Sequence, residues 1–268
     1  MEKILGSGRI LFALCMAALG AENLVCAHVQ EKVLPVFPWL PPHPVLVYLA
    51  GLFLIAAGLA IAVGFRVRLA SILLAIFLLV CELHVQSHRA AYTPLDLGVR
   101  TTVFEVAALC AAALTLAKMV SDRGESAERA SVLDRMLLSG RYLFALALLV
   151  FGIAHFLVGP HVAKLIPAWI PIRLIWAYFT GVCFVVAGVS IAIRWRDSVC
   201  AALLGVMFLL WFVVLHLPRI LSHESAYQLN EWSSLFVALG LCGASWIIAL
   251  DSLRNGEPGL SEPELDEA

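Results

Sequence analysis

Glu22, Glu82 and Glu105 are carboxylic acids set inside stretches that are otherwise apolar. Each stands at a matching distance from a basic residue at the end of its stretch: Arg9 to Glu22 and Glu105 to Lys118 are 13 residues, Arg68 to Glu82 is 14. On helices rising about 1.5 Å per residue, the three carboxyls share one level, roughly 20 Å beyond the basic ends. Like charges drawn together in a low dielectric cannot all ionise, so such a level suits a proton relay or a hydrogen-bonded site for a quinone-like head group. Asn23 follows Glu22, and His84 lies about 200° round the helix from Glu82, so only one of Glu82 and His84 points straight into a bundle. An ionisable group inside a span costs roughly 2.5–3.5 kcal/mol on insertion scales. Glu22, Asn23, Glu82, His84 and Glu105 are therefore the candidate ligand-binding or proton-relay set. The bland alternative is that they form interhelical hydrogen bonds worth about 0.6 kcal/mol apiece.

The elements that must position these residues are membrane spans. The chain is 62% hydrophobic and 14% charged, with a mean hydropathy of +0.95, far more apolar than a soluble domain. Apolar runs of about 18–22 residues, long enough to cross about 30 Å of hydrocarbon, lie near 8–28, 45–64, 68–88, 99–119, 138–158, 173–193, 197–217 and 231–250. The expected fold class is all-α and integral to the membrane, with eight transmembrane helices as two parallel-repeat four-helix bundles. The first 28 residues have the look of a secretory signal, but the same motif recurs in mid-chain, so this segment reads as the first span.

That recurrence divides the chain. At an offset of 132 residues, Gly8/Gly140, Arg9/Arg141, Leu11/Leu143, Phe12/Phe144, Ala13/Ala145, Leu14/Leu146 and Gly20/Gly152 are identical. Gly51/Gly181, Gly58/Gly188 and Arg66/Arg196 follow at 130, and His84/His216 and Cys110/Cys242 return to 132. Such self-similarity marks a duplication. The expected units are a first four-helix repeat over 1–120, a charged linker over 121–137, a second repeat over 138–250 and an acidic disordered tail over 251–268. The three acids are not repeated, since Ala154, Val214 and Val237 stand in their places, while His155 replaces Asn23. One polar pocket is thus expected in the first bundle. The second bundle reads as scaffold, or carries a weaker site from His155, His216, Arg219, Asn230 and Glu231, for which a structural role is the simpler reading.

Even-numbered repeats insert with the same orientation. The loops on the side of both termini then hold twelve of the 18 Lys and Arg residues, among them Arg9, Arg66, Arg68, Arg141, Arg194 and Arg196. The positive-inside rule makes that side cytoplasmic, in a cell (inner) membrane. The opposite loops, His28–Pro44 and Gly159–Pro171, carry Pro and Trp and read either as lids in the outer interface or as plain turns. Seven cysteines form no CxxC and read as small buried hydrophobes. Inward carboxylates could hold metal, but the paired Glu-x-x-His of di-iron bundles is missing, so no metal is expected. No nucleotide, hydrolase or haem motif and no basic stripe for nucleic acid is present.

The Gly-Arg opening at Gly8-Arg9 and Gly140-Arg141, the FGIAHF run at 151–156 and the YFTGVCFVVAG run at 178–188 resemble the DoxX family of small four-helix membrane proteins. The resemblance implies a tandem, eight-helix member. It also implies a quinone and a redox partner protein, since some members are similar to the small subunit of thiosulfate:quinone oxidoreductase. The expected function is a quinone-associated accessory subunit of a membrane redox system rather than a stand-alone enzyme. A small-solute or proton-coupled carrier and a purely structural or assembly protein are the alternatives, all embedded in the lipid bilayer.

Overall fold

The computed structural model describes residues 2–25, 44–92, 97–121, 136–221 and 228–256. The expected linker and the loop from His28 fall almost wholly outside these residues, as does the tail beyond Gly256. Every regular element among the described residues is helical. The main helices are α1 Gly8–Val25, α2 Pro44–Val63, α3 Val67–Tyr92, α4 Leu97–Ser121, α5 Ser139–Leu157, α6 Gly159–Leu165, α7 Arg173–Ile193, α8 Asp197–Trp211 and α9 Gln228–Arg254. A short helix, Glu2–Gly6, precedes α1.

Helix boundaries follow local chemistry. Pro44 opens α2, where its missing N–H costs nothing, and Gly64 ends it in the left-handed conformation at φ 84°, the usual conformation for a residue just past a helix. Pro160 lies in the first turn of α6. Beyond Trp211 the helix widens into a π turn, Phe212–His216, and runs on through Leu217–Leu221. Pro218, which has no N–H to continue the ladder, stands just after that wide turn.

Seven helical stretches are long and apolar enough to cross a membrane: Gly8–Val25, Val45–Val63, Thr101–Val120, Ser139–Leu157, Arg173–Ile193, Asp197–Leu221 and Glu231–Arg254. They coincide with seven of the eight expected spans. The eighth falls on α3, whose apolar part is the shorter Val67–Cys81. The chain is a multi-pass membrane protein.

α9 and α4 are the central helices. They are buried over 83% and 72% of their apolar windows, whereas α2 and the α8 stretch are buried over only 28%. The outer helices turn Leu52, Leu59, Leu203 and Leu210 outward, as lipid allows. Helices do not associate in lipid by the hydrophobic effect, so close contact through small residues must hold them. A Cβ built on Gly243 of α9 would lie 2.5 Å from the Phe12 nitrogen and 2.7 Å from the Gly8 oxygen of α1. On α5, a Cβ on Gly140 would lie 2.8 Å from the Ala111 oxygen of α4. α1 therefore packs along α2 and α9, and α5 along α4 and α7, while α4 also meets α9. A single cluster of buried side chains runs through helices from both halves of the chain. The first four helices thus share their core with the last four rather than closing on themselves.

Candidate functional site

α1 and α9 run antiparallel in contact, which sets three pairs face to face. Gly8 meets Gly243, and a Cβ on Gly240 would lie 3.1 Å from that of Cys15. Glu22 then meets Ser233, whose hydroxyl donates to Glu22 Oε1 at 2.7 Å. Both residues are buried, Glu22 to 7% and Ser233 to 3% exposure. A carboxyl held in this way sits in the apolar depth of the protein with a fixed orientation, as a polar group there requires.

Asn23 points to another helix. It is fully buried beside Gly51 of α2, where a glycine Cβ would come within 3.2 Å of the Asn23 Cβ. Gly20 and Gly51 bring the two backbones together, since a Cβ on Gly51 would lie 2.8 Å from the Gly20 oxygen. Neither Oδ1 nor Nδ2 of Asn23 has a hydrogen-bond partner among the described residues. Burying an amide unpaired costs about 1–3 kcal/mol, so this side chain offers one acceptor and two donor hydrogens to something polar.

Glu105 lies on α4, half-buried. Leu109, one turn further along α4, approaches Gly240 at the same level as Cys15. Glu105 and Glu22 are thus displaced in the same direction from Gly240, by about 6 Å and about 10 Å at the helical rise. Glu82 and His84 lie on α3, their side chains outside the described residues. Among the described residues, the hydrogen-bond partner of Glu22 comes from α9, outside the first four helices, and that helix's approach is set by small residues that no count along the first repeat could reveal.

The second set separates into two groups. His155 Nδ1 lies 2.8 Å from the Phe151 oxygen, and its ring stacks on Trp211 at 6.1 Å and 15° and meets Phe184 edge-on at 5.2 Å. It belongs to an aromatic packing layer with Phe208. His216, Arg219 and Glu231 form the other group. His216 Nδ1 is 3.3 Å from Glu231 Oε2, Arg219 Nη1 donates to Glu231 Oε1 at 3.2 Å, and Arg219 Nη2 donates to the Leu165 oxygen at 2.6 Å. This group ties the end of α6 to the π turn and short helix that follow α8, and to α9. The side chain of Asn230, at the start of α9, is outside the described residues.

Two ion pairs at the other end of the helices, one buried and one partly buried, join residues far apart in the sequence. Arg141 donates to the Asp197 carboxylate and, at 2.9 Å, to the Ile191 oxygen. Asp197 also accepts from Ser252 Oγ at 2.8 Å and from the Ser198 backbone N–H at 3.1 Å. Lys118 Nζ reaches Asp251 at 2.9 Å. The one sequence signal was the duplicated Gly-Arg, whose second arginine proves to be buried and paired. Six cysteines among the described residues are free thiols, four of them buried, as small hydrophobes would be.

The family comparison bears on the helices that carry Glu22 and Asn23. Residues 4–87 match the DoxX family model. The DoxX region thus covers α1, α2 and most of α3, and contains Glu22, Asn23, Glu82 and His84. No curated protein and no solved structure matches the chain. Glu105, Ser233 and α9 lie beyond the DoxX region, so the Glu22–Ser233 contact joins that region to the rest of the chain.

Proposed function

We propose that the protein is a quinone-associated accessory subunit of a membrane redox system, with its polar site in the outer half of the membrane around Glu22 and Asn23. The observation that carries this reading is Asn23, whose buried amide lacks a partner among the described residues beside a carboxyl oriented by Ser233. A quinone head group presents carbonyl or hydroxyl oxygens to which an amide and a carboxyl both hydrogen-bond. Bound there, it would supply electron and proton exchange with a partner protein. The chain's own residues orient the head group, exclude water from it and offer carboxyl oxygens to its protons. Glu105, Glu82 and His84 complete the proposed site from α4 and α3.

In this reading the chain is two four-helix units of eight spans, joined by the charged linker. It lies in the bacterial inner membrane with both termini cytoplasmic, in keeping with the basic residues at that end. The test is solvent extraction of protein purified in mild detergent, with quinone identified by spectrum and mass. Near-stoichiometric quinone in the wild type, much reduced in Glu22→Gln and in Glu105→Gln made singly, is the expected result. Equal quinone in all three proteins would refute the assignment.

A further inference from the structure

The helix pairs α1–α2 and α5–α7 cross through corresponding glycines. A Cβ on Gly51 would lie 2.8 Å from the Gly20 oxygen and 3.2 Å from the Asn23 Cβ, and a Cβ on Gly181 would lie 3.4 Å from the Gly152 oxygen and 2.9 Å from the His155 Cβ. Asn23 follows Gly20 by three residues, as His155 follows Gly152. Both pairs thus seat a polar side chain at the same point of the crossing, an amide in the first and an imidazole in the second.

The chemistry offered at the two points is opposite. The Phe151 oxygen, 2.8 Å from His155 Nδ1, can only accept, so Nδ1 carries the hydrogen and Nε2 of the neutral ring keeps a bare lone pair. Nε2 has no hydrogen-bond partner among the described residues, and unlike the Asn23 amide it is not sealed inside the protein. His155 is half-buried two residues before the end of α5, within reach of a molecule dissolved in the bilayer. The surroundings differ too. Phe151 and Phe184 stand where, at offsets of 132 and 130, the first pair has Leu19 and Leu54. Phe184 meets the imidazole edge-on at 5.2 Å, while Trp211 stacks on it at 6.1 Å and meets Phe184 at 5.6 Å. Aromatic rings favour such edge and offset contacts with further rings, so this wall suits a flat ligand. Trp211 is also the last residue before the π turn, a widening frequent at functional sites.

We propose that His155 anchors a second ligand site, which takes a hydroquinone. Nε2 accepts the hydrogen bond of a ring hydroxyl, and Phe184 and Trp211 flank the ring. The oxidised quinone has no such hydrogen to give, so the lone pair selects the reduced form, whereas the donor hydrogens of the Asn23 amide suit carbonyl oxygens. The choice of hydroquinone among ring hydroxyl compounds rests on the quinone reading of the Asn23 site; the acceptor and its aromatic wall do not.

The test is equilibrium dialysis of the full chain in detergent against a short-tailed benzohydroquinone kept reduced without oxygen, the matching benzoquinone, and the dimethyl ether of the hydroquinone. His155→Phe, which keeps a ring against Trp211, should lose one bound hydroquinone per chain and no quinone. On the wild-type protein alone, the ether should bind about tenfold more weakly than the hydroquinone, since it has the ring without the donors. That comparison holds even where the variant lowers the melting temperature. Equal hydroquinone in wild type and variant, a matching loss of quinone from the variant, or an ether as tight as the hydroquinone would each overturn the proposal. An empty solvent extract beside His155-dependent hydroquinone would refute the quinone reading of the Asn23 site and sustain this one. Quinone extracted in a Glu22-dependent way, with no His155-dependent hydroquinone, would do the reverse.

Discussion

Ser233 of α9 donates its hydroxyl hydrogen to Glu22 of α1 at 2.7 Å, across 211 residues of sequence. The bond fixes one carboxyl oxygen at the contact between the DoxX region and the last helix. It exists because glycines at 8, 240 and 243 let the two backbones approach.

Glu22→Gln keeps the size of the side chain and its capacity to accept from Ser233 while removing the acid. Quinone per protein should fall about tenfold, the cost of roughly one charge-assisted hydrogen bond, with little change in melting temperature. A large fall in melting temperature with quinone retained would assign Glu22 to holding helices together instead.

Asn23→Leu replaces an amide that is unpaired among the described residues by an apolar group of similar shape. The ligand-free protein should become more stable by about 1–3 kcal/mol, the desolvation cost recovered, while quinone retention drops. Chemical unfolding of the extracted protein beside a quinone assay reads both quantities, and a destabilised variant with normal quinone would contradict the role given to Asn23.

Gly243→Ala adds a Cβ 2.5 Å from the Phe12 nitrogen. Overpacking of this kind costs about 1–3 kcal/mol, and it pushes α1 from α9, so Glu22 should lose its hydroxyl partner. Melting temperature and quinone content should fall together. Normal values of both would show that the helices do not depend on this close approach.

Asp197→Ala leaves Arg141 buried with its charge uncompensated, and should cost about 3–5 kcal/mol. Arg141→Met/Asp197→Leu removes both charges and should recover most of that loss. Unfolding curves in denaturant distinguish the two variants. A single mutant as stable as wild type would mean that Arg141 is satisfied by the Ile191 oxygen alone.

The sequence by itself determined that this is a helical membrane protein and where seven of its spans lie, because an apolar run of bilayer length has few other stable fates. The DoxX resemblance was legible in the same way, carried by Gly, Arg and aromatic residues at recurring spacings. Helical rise also gave the side of the Gly240 level on which Glu22 and Glu105 both lie, since each is reached by counting along its own helix.

Lateral placement was decided by tertiary structure. Whether Glu22 faces its own repeat or α9 depends on which glycines nest against which backbone, and Gly8, Gly240 and Gly243 settle that only when the helices are assembled. Ser233 gave no signal, because a serine in an apolar helix commonly bonds its own backbone, as Ser245 does to the Leu241 oxygen. Arg141 read as a surface anchor, yet it is buried on Asp197, because a charge near a helix end can either reach water or find a partner. That choice rests on neighbours far away in the chain, which spacing along one helix does not record.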